Sequence, residues 1–507
     1  MANKIDSNIT GLRFAEEASL KVLPGSPVWY PLEPNSYSDF GGQIKTIARN
    51  PINASRQRKK GVTTDLDASG SFNQDLTLTN MTRLLQAFMF ADIREKKKTN
   101  GMNAVADTVA SVTSGTKTFA LSAGGVGFLA GHLVETNGFS TPANNGIFTV
   151  SANATATALI TTESPVTEAA PPAGASIAVV GFQFPSADVS ITMNGNLVRL
   201  TSVATAMTGL GLIPGEWIYI GGDAVGTTLA INKGFARISS IGALYLEFDK
   251  ISWTGAIAEV GTGKTLRIFY GDVLKNESTP ALIKRRTLQV ERTLGDDSGV
   301  QSEYLVGAVT NEFTMNISQA DKVTTDLSFI AVDNEQRTGA VGVKVGTRPS
   351  IVDSAAFNTS SDITRIKLSL VSATDPAPTP LFAFATEMSL GVKNNVTPNK
   401  AIGVLGAFDT SSGTFEVSGS MTAYFASVTA VQAVRNNADV TLDMIMLKKN
   451  NALLWDIPLL SLGDGRLSVE QDKSITLPLE TNAAESKFGH TLLFQVFGYL
   501  PDAAGGV

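Results

Sequence analysis

Asp67-Ala68-Ser69-Gly70-Ser71-Phe72 and Glu416-Val417-Ser418-Gly419-Ser420-Met421 carry one Ser-Gly-Ser pattern near opposite ends of a 507-residue chain. Each follows an alternating apolar–polar run and precedes a short helical pattern. After the first, Met81, Leu84, Leu85, Phe88 and Met89 fall on one face of a helix, with Thr79 or Asn80 as candidate caps. After the second, Ser427 is the candidate cap and Val428, Val431 and Val434 make a shorter stripe. Upstream, Ile44, Lys45, Ile47, Arg49 and Asn50 lead into Pro51, as Gly391, Val392 and Asn395 lead into Val396 and Pro398. Downstream, Phe313-Thr314-Met315-Asn316-Ile317 and Asp321-Lys322 resemble Leu467-Ser468-Val469 and Asp472-Lys473. Both read as alternating strands joined by a polar turn. The two ends therefore read as copies of one unit, the first split by an insertion.

A second duplication sits inside the split. Gly127-Phe128-Leu129-Ala130-Gly131-His132-Leu133-Val134 resembles Gly211-Leu212-Ile213-Pro214-Gly215-Glu216-Trp217-Ile218. Asn145 to Val150 resembles Lys233 to Ile238, Leu159-Ile160 answers Leu244-Tyr245, and Gly174 to Ile177 answers Gly263 to Leu266. Turn signals recur often enough for two small all-β modules, each a barrel or a sandwich. The expected division is 1–100 with 281–371 for the first unit, 101–184 and 185–280 for the modules, and 382–507 for the second unit. Pro376, Pro378 and Pro380 make 372–381 a stiff, extended linker between the outer units.

Composition agrees with an all-β chain with minor helix. Hydrophobic residues make up 43% and charged residues 17%, enough to build cores, and 46 glycines with many Thr, Ser and Val favour strands and tight turns. With no cysteine, disulfides, thiolate metal sites and cysteine nucleophiles are excluded together. Only His132 and His490 are available as imidazole ligands. The start has no apolar run, so no secretory signal is expected, and no stretch is long and apolar enough for a membrane helix. A net charge of −6 argues against a dedicated nucleic-acid binder but not against a passage through which DNA slides.

Site-like patterns weaken on inspection. Val260-Gly261-Thr262-Gly263-Lys264-Thr265 looks like the end of a phosphate loop, yet Ala258 stands where the first glycine belongs and a strand follows. Gly124-Gly125-Val126-Gly127 has no βαβ unit around it. Ser486 and His490 lack a nucleophile elbow. Asp296, Asp297 and Asp321 show no spaced oxygen-ligand loop. No catalytic, cofactor-binding or metal residue is expected, and no enzyme. Three basic runs remain: Arg56, Arg58, Lys59 and Lys60 just after Arg49; Arg94 with Lys96 to Lys98; and Lys284 to Arg286. The last two read as solvated charge.

In order, Trp29-Tyr30-Pro31-Leu32-Glu33-Pro34, the basic stretch 49–61, the Ser-Gly-Ser strand with its helix, and the closing strands to Tyr499 resemble the tail tube (major tail) proteins of long, non-contractile bacteriophage tails. The resemblance covers about half the chain. It implies two tube-type β-sandwiches, each with a flanking helix, whose inner sheets join around a ring. Rings stack into a DNA conduit. A duplicated subunit implies a homotrimer with pseudo-sixfold rings, with a hexamer as the alternative. The inserted modules are expected on the exterior, and Arg49, Arg56, Arg58, Lys59 and Lys60 in an inter-subunit or ring-stacking loop. Implied partners are further copies of the chain, the tape measure, tail terminator and distal tail proteins, and phage DNA passing non-specifically, with no membrane. The place is the virion tail, assembled in the host cytoplasm. The rival reading is a carbohydrate- or cell-binding adhesin of β-modules. Against it stands the nesting of the modules inside another unit.

Overall fold

A computed structural model describes residues 10–37, 39–52, 57–102, 107–295 and 300–506. The architecture is all-β with, among the described residues, two short α-helices. The amino-terminal unit contributes β1 (Gly11–Glu16), β2 (Gly41–Arg49), β3 (Lys59–Asp75), α1 (Thr82–Phe88), β4 (Leu288–Leu294), β5 (Gln301–Ser318), β6 (Thr324–Ala331) and β7 (Asp333–Thr338). The carboxy-terminal unit contributes β8 (Ile363–Leu370), β9 (Ala385–Lys393), β10 (Glu416–Tyr424), α2 (Val428–Arg435), β11 (Val440–Lys448), β12 (Asn451–Asp464), β13 (Thr476–Ala483) and β14 (Leu493–Phe497).

These fourteen strands pair identically, seven against seven. β1 pairs with β4 as β8 pairs with β11, and β2 with β3 as β9 with β10. β3 pairs with β6 as β10 with β13, and β4 with β5 as β11 with β12. β5 pairs with β6 and β7 as β12 pairs with β13 and β14. The register agrees as well. Leu288 faces Ala308 and Val440 faces Leu460, and each pair is followed by a bulge before Val290 or Leu442. A shared irregularity is stronger evidence of duplication than shared strands, because a bulge is a specific local departure from the ladder.

The expected stripe on α1 is real: Met81, Leu84, Leu85, Phe88 and Met89 are all buried. They pack into a core common to both units, in which Phe313 stacks on Trp455 at 5.8 Å. The expected caps differ. Ser427 Oγ accepts from Thr429 N at the start of α2, whereas α1 begins after Met81 with no side-chain cap. Asn80 instead donates to the Asp75 carbonyl and accepts from Thr77 N, closing the turn before the helix. On α2 the buried face is Ala430 and Ala433, with Val431 and Val434 only partly covered and Val428 exposed. Small residues let that helix lie close to its sheet.

One expected match was misplaced. The counterpart of β5 is β12, which ends at Asp464, so Leu467-Ser468-Val469 is not that strand. Asp464 and Gly465 both take positive φ and turn the chain away, and Leu467 and Val469 are exposed.

In the insertion the modules repeat each other. Leu133 faces Thr149 as Trp217 faces Arg237, as the sequence match requires. Gly131 and Gly215 adopt φ of 92° and 90°, and Gly146 and Gly234 adopt 143° and 131°, conformations costly for any residue with a Cβ. Farther along, the pairing shifts two matches by two residues: Leu159 corresponds to Leu246 and Ile177 to Ile268. No described sheet closes into a barrel. Gly181–Gln183 pairs with Arg267–Phe269, fusing strands of both modules into one ten-stranded sheet, beside a three-stranded one.

The insertion is seated firmly. Trp217, Tyr219, Phe235 and Phe269 share a core with Leu454, Leu493 and Phe497 of the second unit. Residues 372–381 are likewise held: the Pro376 carbonyl accepts from Ile251 N, and Pro380 bridges Ser369. Upstream, Trp29 is fully buried, donates to the Val345 carbonyl at 3.0 Å and meets Tyr304 edge-on.

Candidate assembly interface

Both units join through one ladder. β9 lies antiparallel on β5, with Glu312 opposite Lys393 and Ser318 opposite Glu387. The result is a continuous run of strands, β2-β3-β6-β5-β9-β10-β13-β12. One face is packed on the core and the other is open. Along β5, Phe313, Met315 and Ile317 are buried while Glu312, Thr314, Asn316 and Ser318 look outward, the period-two pattern of a half-covered sheet.

The register assigns the open face strand by strand. It carries Asp65, Asp67, Asp75, Glu312, Asp326, Glu387, Glu416 and Glu480 among serines, threonines and asparagines. Four lysines reach it: Lys45, Lys393 and Lys400 from strands, and Lys322 from a turn. The face is therefore polar and net acidic. Asp326 is bound by Asn73 at 2.7 Å and Asn316 at 2.6 Å rather than by a base, and Glu387 accepts from Thr422.

This run has two ends. β2 has β3 on one side and no described strand on the other. The last residues of β12, Ser461 to Asp464, have β13 on one side only. Unpaired N–H and C=O groups along such edges invite another chain. The strands that meet inside the molecule, β9 and β5, are the counterparts of these two free edges.

Hairpins leave the same end of the sheet in both units. In the first, Arg49 lies opposite Lys59, and Arg49, Arg58, Lys59 and Lys60 are exposed. None of the four makes an ion pair among the described residues. Arg56, the fifth expected residue, lies outside the described residues. The second hairpin, Thr397–Lys400 with Ala407–Ser411, leans on the first unit, where Lys400 binds Asp65 at 2.6 Å and also Asp67. That hydrogen bonding holds both carboxyls below the usual range and raises the Lys400 ammonium. Ile52 and Ile402, each eleven residues beyond Gly41 or Gly391, are 107% and 106% exposed.

The site-like patterns fare as turns. Gly261–Lys264 is a turn with Gly263 at φ 69° and a strand after it, and Lys264 Nζ donates to the Val225 carbonyl. Ser486 Oγ donates to the His490 carbonyl, not to the ring, and burial pushes the His490 imidazole down to about 3. His490 is fully buried, not partly solvated as a domain-edge position would make it. Among the described residues no three His, Asp or Glu side chains come together as a metal site. Asp296 and Asp297 lie outside the described residues.

Of the two basic runs expected to be solvated, Arg94 with Lys96 to Lys98 is buried or half-buried, whereas Lys284 and Arg285 are exposed. Lys96 is buried against Glu216 at 2.9 Å, Arg94 binds Glu277 at 2.5 Å, and Lys98 binds Asp272. Lys284 and Arg286 both bind Asp92. A larger buried network escaped the sequence reading altogether. Arg237 binds Asp249 at 3.0 Å and Asp456 at 3.3 Å, while Lys250 and Arg365 both bind Asp443. Burial opposes ionisation of Asp443, but the two cations outweigh it and hold the carboxyl down to about 2. At Asp456 burial wins over Arg237 and pushes the carboxyl up to about 6. Arg237–Asp456 and Lys250–Asp443 tie the insertion to the second unit. Arg237, Asp443 and Asp456 each stand between apolar neighbours on a strand, which in sequence looks like solvent-facing charge.

A family model described as phage tail tube protein matches residues 7–209 and, again, residues 202–483. No curated protein matches the chain.

Proposed function

The chain belongs to the phage tail tube protein family, and from that premise we propose that three copies close into a ring and that rings stack into the tail tube. It is a structural component of the tail, and among the described residues no helix is long and apolar enough to cross a membrane. In the proposed division, residues 1–100 with 281–362 are the first tube unit and residues 363–507 the second, because Ile363–Leu370 pairs with Val440–Lys448, so that 372–381, expected as a linker between the units, connects two strands of the second. Residues 101–184 and 185–280 are the inserted modules. Two units per chain give a pseudo-sixfold ring from three molecules, with one junction in every two already covalent.

The observation that carries this reading is the β5–β9 ladder. The edges it joins inside the molecule are the counterparts of the two edges left free outside it. A head-to-tail contact of this kind closes into a ring when the rotation allows. The open acidic face then lines the channel. The four lysines on this wall are paired with its own carboxylates, so it offers DNA little free cationic charge to exchange for condensed counterions, and the duplex slides rather than sticks. The insertion packs on the second unit through Phe235, Phe497 and their neighbours, away from that face, and lies on the tube exterior.

Stacking falls to the hairpins, which leave one end of the sheet together. Arg49, Arg56, Arg58, Lys59 and Lys60 form the polar part of the contacts that the first hairpin makes with the neighbouring subunit and with the next ring. Ile52 and Ile402, bare at matching positions, supply the apolar part of the stacking contact. The ring meets the tape measure, terminator and distal tail proteins at the ends of the tube, and assembly takes place in the host cytoplasm. Electron microscopy of the purified protein is the test. Hollow tubes built of threefold rings are expected, whereas permanent monomers overturn the reading.

A further inference from the structure

Resting on the ring reading, we propose that the contact between molecules repeats the start of the internal ladder in register. Gln43 of one copy lies opposite Gly463 of the next, and the basic hairpin of the first copy is seated on Glu416 of the second. The argument is one of equivalent positions. Gly41 lies opposite Ser69 as Gly391 lies opposite Ser418, so Gln43 holds the place of Lys393. Glu312 lies opposite Ser328 as Gly463 lies opposite Glu480, so Gly463 holds the place of Glu312. Inside the molecule Glu312 faces Lys393.

The clamp follows by the same correspondence. Lys400 of the second hairpin binds Asp67 at the base of the first. Asp67 stands three residues before Gly70, and Glu416 stands three before Gly419. Glu416 is exposed and makes no ion pair among the described residues, although its counterpart makes two. On the first hairpin the place of Lys400 falls to Asn50, beside Arg49 and across from Lys59. An unpaired carboxylate and an unpaired basic tip thus occupy the two positions that an ion pair fills within the molecule. Charge complementarity of this kind fixes register and rejects other docking modes.

The absence of native cysteine makes the register directly readable. Gly463 accepts a side chain, since a Cβ there would meet Glu480 at an ordinary 3.4 Å. Oxidation of assembled Gln43→Cys/Gly463→Cys protein is expected to give a ladder of covalent dimers and trimers, and neither single variant is expected to cross-link. Tubes without the ladder overturn the register while leaving the ring reading intact. Cross-linking of Gln43→Cys alone, which requires two β2 edges to meet each other, overturns both. So does a wild-type protein that never assembles. For the clamp, Glu416→Lys is expected to lower tube yield at least tenfold with unchanged thermal unfolding of the free subunit, and adding Arg49→Glu and Lys59→Glu is expected to restore it. Failure of that reversal to restore assembly, or full yield from Glu416→Lys alone, overturns the clamp.

Discussion

Asp443 and Asp456 sit a strand apart in one buried network and are driven in opposite directions. Asp443, held down to about 2, contributes stability that is complete above its unfolded value near 3.8 and fades as pH falls toward 2. Asp456, raised to about 6, contributes fully below 3.8 and loses that contribution as pH rises through 6. Asp456 therefore removes stability from the unassembled subunit between about pH 4 and pH 6, against the gain that buried His132 and His490, held down to about 4 and about 3, supply as pH rises through that range, and Asp456→Asn should make the unfolding profile rise more steeply there. Asp443→Asn leaves Lys250 buried without its counter-charge and should cost about 3–5 kcal/mol at pH 7. Thermal unfolding across pH reads both. An unaltered slope between pH 4 and pH 6 in Asp456→Asn would show that its carboxyl is already ionised at pH 4.

At the scale of elements, the hairpins separate folding from assembly. Arg49, Ile52, Arg58, Lys59, Lys60 and Ile402 are exposed, so changes at these positions should leave unfolding within about 0.5 kcal/mol of wild type. Neutralising Arg49, Arg56, Arg58, Lys59 and Lys60 should stop tube growth. Ile52→Ser with Ile402→Ser should shorten tubes at unchanged ring diameter, measured by microscopy. Equal growth of either variant removes the hairpin from the axial contact. The same elements show what sequence could convey. The Ser-Gly-Ser strands, the α1 stripe and the glycine-bounded module strands were legible because a core face or a positive φ dictates residue type there. Leu467-Ser468-Val469 was misread because alternation alone does not make a strand. β5 runs on to Ser318 between β6 and β9, whereas its counterpart stops at Asp464, where no second neighbour supports it. Lys96, Arg237 and Lys250 were illegible for the converse reason, since only tertiary packing distinguishes a buried charged strand residue from a solvated one.

Across the whole molecule, the insertion acts as a brace as well as a decoration. Lys96–Glu216 links the first unit to the modules, and Arg237–Asp456 and Lys250–Asp443 link the modules to the second unit. The two tube units are thus held in a fixed mutual position by a body placed behind the sheet, and the open face is left free of it. That arrangement lets the face be tuned by charge without disturbing the subunit. Asp326, Glu387 and Glu480 are spread over three strands, and none of them forms an ion pair among the described residues. Replacing all three by lysine changes the lining by six charges per chain and turns an acidic wall basic. If the face lines the channel, tubes of Asp326→Lys/Glu387→Lys/Glu480→Lys should retain duplex DNA, with affinity falling steeply as salt rises in proportion to the phosphates neutralised. Wild-type tubes should retain none at physiological salt. The same substitutions on an outward-facing surface would bind DNA on the outside, where nuclease reaches it. Protection of the retained DNA from nuclease therefore decides which side of the tube this face occupies.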